Sequence, residues 1–132
     1  MTKNIIAVIA APLIWGLIML PGNQVIFQFF PEALEGQLSS AYLFSALIAS
    51  FFYSAIAGAG AAAIAKPEFE QIGMAAGIAV LAVGALVQWS YWDLFPQWYH
   101  MAFLFWLIPL CMVGANVVRG RRLANTEPDA NL

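Results

Sequence analysis

Apolar residues run along this chain in four long stretches, separated by short clusters of polar and turn-forming residues. The stretches cover residues 5–30, 41–65, 72–89 and 98–118, and none of them contains Asp, Glu, Lys or Arg. A helix that crosses a bilayer needs about 20 mostly apolar residues, because the hydrocarbon core is about 30 Å thick and a helix rises about 1.5 Å per residue. Each stretch meets that requirement. The runs are continuously apolar, without the alternation of a membrane β-barrel, and in lipid a helix satisfies its own backbone groups. The pattern therefore predicts an all-α fold: an integral membrane bundle of four antiparallel helices, with residues 1–123 as one transmembrane domain and residues 124–132 as a disordered polar tail.

The first stretch is the least regular. As one helix it is about 39 Å long, more than the bilayer core requires, and it holds Pro12 and the Pro21-Gly22 pair. It is either one tilted helix ending near Phe29, or a helix ending near Leu20 with an interfacial segment after it. The continuous helix is preferred, since residues 25–30 are too apolar to lie bare in water. The turns at residues 67–71 and 93–97 are short enough to make each pair of flanking helices a hairpin. Lys3 before an apolar run resembles the start of a signal peptide, but no small-x-small cleavage site follows it, so a retained first span is expected.

Composition supports a lipid environment: 63% of the residues are hydrophobic and 9% are charged, against roughly 25% charged in an ordinary soluble domain. A chain this small has too much surface per volume to hide that much apolar side chain in water. The net charge of −2, with no basic stripe, excludes a nucleic-acid partner. The five basic residues are Lys3, Lys66, Arg119, Arg121 and Arg122. All fall on one side if the N-terminus is inside, which is the positive-inside pattern. Both termini are then expected in the cytoplasm of a prokaryotic-type inner membrane.

Three groups of residues are candidates for function. Small residues form a stripe on the second span (Ser50, Ser54, Gly58 and Ala62) and another on the third (Gly73, Gly77 and Gly84). Such faces let helix backbones approach closely, either within the hairpin of spans two and three or across a homodimer seam. The second group is an aromatic lip around the Pro96 turn: Trp89, Tyr91, Trp92, Asp93, Trp98, Tyr99 and His100. It suits an interfacial belt or an outer-face ligand or lipid site, in which Asp93 and His100 could pair as acid and base. The third is a set of neutral amides, Asn23, Gln24, Gln28, Gln88 and Asn116, that could line a polar path.

The exclusions are as informative. Cys111 is the only cysteine and His100 the only histidine, so no disulfide, thiolate metal site or bis-histidine haem can form within the chain, and no cofactor is expected. Every acidic residue lies in a loop or the tail, whereas cation-coupled transport generally needs an ionisable group at membrane depth. The expectation is a multi-pass accessory or interaction subunit, whose partners are lipid and either a second copy or a larger membrane protein. A small oligomeric channel or transporter for a neutral solute or simple ion is the alternative, and a lipid-modifying enzyme stands third.

Overall fold

The computed structural model describes residues 1–126, and these are almost wholly helical. Helix α1 spans Thr2–Phe29, α2 Ser40–Ile64, α3 Ile72–Ser90 and α4 Gln97–Thr126, with a short 3-10 turn at Pro31–Glu35 between the first two. All four helices are long and apolar enough to cross a membrane. Helix α1 runs unbroken through Pro12 and Pro21, as the preferred reading expects. Helix α4 extends three residues into the expected tail, to Thr126; the rest of that tail lies outside the described residues.

Local chemistry sets the first turn. Pro31 opens the 3-10 segment and Gly36 closes it with φ 84°, a left-handed conformation that a side chain would strain. Ser39 then caps α2, its side chain accepting from the Tyr42 N–H at 3.2 Å. Phe27 and Phe30 both pack their rings on Tyr42, which folds the turn back onto the bundle.

Around the bundle the helices follow the order α1, α2, α4, α3. Consecutive helices are antiparallel, but the largest interface joins α2 to α4, which run parallel. Phe44 meets Trp98, Phe51 meets Trp106, and Arg122 reaches Ala62 and Ala65, in the same order along both helices. Glycine explains how these two parallel helices come so close. A Cβ placed on Gly58 would run into the backbone of Cys111, and one on Gly114 into the backbone of Ala55. The two backbones are in direct contact at this crossing, closer than any pair of larger residues permits.

Two polar ties hold one end of the bundle. The Asn4 side chain accepts from the Lys66 N–H at 2.9 Å. Arg122 donates to the carbonyls of Ala62 at 2.6 Å and Ala65 at 2.8 Å, which α2 leaves unpaired as it ends. Lys3, Lys66 and the arginines of α4 thus share a basic end, and the aromatic segment around Pro96 lies at the other. Between the ends, Ile9, Leu13, Leu17, Phe52, Ile78 and Phe105 point outward as an exposed apolar belt.

Candidate functional site: a pocket at the aromatic end

Near the aromatic end the four helices diverge around a pocket of about 520 Å³. Helix α1 contributes Met19, Asn23, Gln24 and Phe27; α2 contributes Tyr42, Ala46, Ser50 and Tyr53. Gln88 and Ser90 come from the end of α3, Tyr91 and Phe95 from the turn, and Tyr99 and Phe103 from the start of α4. No lining residue carries a formal charge at neutral pH. The walls are apolar, with amides, serines and tyrosine hydroxyls set among them.

The pocket ends partway along the bundle. Trp15 is buried at 1% exposure and sets its ring edge-on against Phe103, with centroids 6.1 Å apart. Beyond that pair Ala7, Ala11, Ala57, Ala61 and Ala76 are fully buried. The small side chains there let α1, α2 and α3 close on one another, and no lining residue lies in that half of the bundle. The Pro21-Gly22 pair serves the opposite half: the Tyr53 hydroxyl lies where a Cβ on Gly22 would be. A larger residue at position 22 would displace the ring that forms the pocket wall.

His100 is fully buried beside this site. Its Nδ1 contacts the Gln88 amide and its Nε2 lies 3.1 Å from the Trp92 carbonyl oxygen. The Trp92 ring stacks on the imidazole, centroids 4.5 Å apart and planes within 7°. These contacts come from α3, the turn and α4, so the histidine ties the three together.

The sequence-derived candidates divide accordingly. Of the aromatic lip, Trp89, Tyr91, Trp92, Asp93 and Trp98 are exposed while Tyr99 and His100 are buried. Asp93 and His100 do not form the acid–base pair that their spacing suggested: both imidazole nitrogens face Gln88 and Trp92, and the aspartate points to the exterior. Of the amides, Asn23, Gln24 and Gln88 meet in the pocket; Gln28 and Asn116 are exposed and lie outside it. Asn116 lies toward the basic end of α4, well along the helix from the pocket residues Tyr99 and Phe103, and Gln28 sits exposed in the last turn of α1.

The small-residue faces also find a different partner. Gly58 meets α4 at Cys111, Gly73 meets it at Met112, Gly77 at Ile108 and Gly84 at Leu107. Helix α4 thus meets the glycines of both stripes, in place of the expected contact of one stripe with the other or with a second copy. Ser50 and Ser54 turn their hydroxyls back to the carbonyls of Leu47 and Ser50 at 2.6 and 2.8 Å, so they need no partner across the interface.

Sequence reasoning missed Trp15, Ala46, Tyr53 and Phe103 as site residues. A tyrosine in the middle of an apolar span was the available signal, because its hydroxyl has to be accommodated there. Among the described residues, no three His, Cys, Asp or Glu side chains gather where they could hold a metal ion. Compared with protein-family models, curated proteins and solved structures, the chain matches none of them.

Proposed function

We propose that this is an integral membrane protein, with both termini in the cytoplasm, that binds one neutral amphipathic small molecule in the pocket at its aromatic end. The observation that carries the reading is the pocket itself. At about 520 Å³ it lies within the roughly 300–1,000 Å³ of small-molecule sites, and like them it is apolar with a few placed polar groups. An ionised ligand would meet no opposite charge there, and burying an unpaired charge is costly. A neutral head with an apolar body fits the lining.

The pocket favours binding over the other two roles. A channel needs a continuous path, and the lining stops at Trp15 and Phe103. An interaction subunit built on small-residue faces needs those faces open, and α4 covers them. No chemical step is proposed.

Filling the pocket tests the reading. Ala46 lines it, and Ala46→Trp should occupy it without disturbing the α2–α4 crossing. Native mass spectrometry of gently extracted wild-type protein is expected to show a bound neutral species, absent from an equally helical Ala46→Trp protein. Wild type with nothing bound, or a variant that retains the ligand, would overturn the proposal.

The orientation rests on the basic end, where all five Lys and Arg residues gather. A cysteine introduced by Lys66→Cys should react with a membrane-impermeant maleimide only after cells are opened. Cys111 is buried and adds little background. Labelling of intact cells would reverse the topology.

A further inference from the structure

Gln88 is buried at 6% exposure, lines the pocket and touches His100. Its amide has a donor end and an acceptor end of the same shape, so the surrounding hydrogen bonds decide which end points where. His100 makes that decision. The Trp92 carbonyl can only accept, so the imidazole nitrogen facing it, Nε2 at 3.1 Å, carries a proton. In the neutral ring Nδ1 is then an acceptor. Asp93 is exposed and does not face the ring, and Gln88 occupies Nδ1.

Tyr99 is the neighbour of His100 on α4, Trp92 and Phe95 close over its ring from the turn, and Gln88 faces it from α3. In this structure Gln88 turns its Oε1 to Nδ1; an accepting Nδ1 calls for the amino end there instead, a half-turn of the amide that keeps its shape. The carbonyl end is then the one available to the pocket.

We infer that the pocket selects an amphipath whose neutral head carries a hydrogen-bond donor, a hydroxyl or an N–H, and that Gln88 accepts from it in an orientation held by His100. Gln88 is thus a specificity-determining residue and His100 a positioning residue. The inference rests on the pocket reading and names its ligand class. A head that can only accept, such as an ether, leaves the Gln88 carbonyl unpaired in a buried site, and an unmet buried acceptor is what makes such sites selective.

The test uses two probes of matched size: a long-chain alcohol bearing a mid-chain diazirine, and its methyl ether. Each is added to the full-length protein in nanodiscs of zwitterionic lipid, irradiated, and read by intact mass. At subsaturating concentration the alcohol should label wild type on the order of tenfold more than the ether. In Gln88→Leu both probes should still label, with a ratio near one. His100→Asn, whose Oδ1 accepts as Nδ1 does, should keep the preference, and His100→Phe should lose it. A merely structural histidine would not show that rescue. If His100→Phe does not fold, Gln88→Leu and His100→Asn decide.

Equal labelling of wild type would remove donor selection and leave the pocket reading standing. A preference for the ether would mean that Gln88 offers its amino end, overturning the inference. Labelling no stronger than in Ala46→Trp would remove the pocket reading and this inference together.

Discussion

Gly114→Leu is expected to leave no stably folded bundle. Helices in lipid are not driven together by the hydrophobic effect, because lipid tails are as apolar as leucine; close backbone packing does the work instead. At the α2–α4 crossing that packing has no slack. A single Cβ on Gly114 meets the carbonyl, carbonyl carbon and Cα of Ala55, and one on Gly58 meets the same atoms of Cys111. These are backbone atoms, which cannot rotate aside as a side chain could.

Even Gly114→Ala should therefore cost at or above the upper end of the roughly 1–3 kcal/mol typical of overpacking. Gly16→Ala and Gly120→Ala are the controls, since nothing lies within 4 Å of a Cβ at either position. Relief from glycine in a helix should make them neutral or stabilising by up to about 1 kcal/mol. Yield of monodisperse protein, with unfolding titrated by SDS in mixed micelles, separates the two classes. A Gly114→Leu protein as stable as wild type would mean that α2 and α4 do not cross as described.

Trp15→Ala is expected to have the next largest effect, on stability and on the pocket together. The indole is buried at 1% exposure and packs edge-on against Phe103, which lines the pocket above it. Aromatic-to-alanine changes in soluble cores cost about 3–5 kcal/mol. About 3 kcal/mol is expected here, because the transfer part of that cost is weak when lipid is the solvent, while the lost contacts remain. The vacated volume opens under Phe103, so the pocket should deepen and accept a longer apolar chain than wild type.

Trp15→Phe should do much less damage. Among the described residues the buried Nε1 has no hydrogen-bond partner, so removing it breaks nothing. SDS titration and photolabelling with alcohols of increasing chain length measure the two consequences. A Trp15→Ala protein with unchanged stability and chain-length preference would show that the indole is not the floor.

Parts of the site could be read from the chain and parts could not. That Gly58, Gly73 and Gly77 lie at close approaches is visible in their spacing, because only small residues let helices touch in lipid. What approaches them is not visible. Helix α3 and helix α4 offer faces of similar hydropathy to α2, and α4 wins because Gly114 allows a backbone-to-backbone contact that α3 does not make. The amides show the same division. Asn23, Gln24 and Gln88 converge while Gln28 and Asn116 do not, because the pocket closes at one end of the bundle, with Asn116 toward the other end and Gln28 exposed in the last turn of α1. His100 was recognisable as the single histidine, close to the turn, yet the nearest carboxylate in sequence is not its partner. The Trp92 carbonyl and Gln88 take its two nitrogens first, and both are set by how the turn closes.

By itself the sequence determined the four apolar helices, the approximate extent of their apolar runs and the gathering of basic residues that marks one end, while the uninterrupted course of α1 past Pro21 was one of two readings until the structure decided it. These follow from each residue's affinity for lipid or water, a quantity that sums along the chain without knowing what any residue touches. Only the tertiary structure decided the order of helices around the bundle, the parallel α2–α4 contact, the floor at Trp15 and Phe103, and the pocket above it. Competing arrangements of apolar helices expose nearly the same surface to lipid. They differ in how closely particular side chains and backbones fit, and that fit exists only once all four helices are in place.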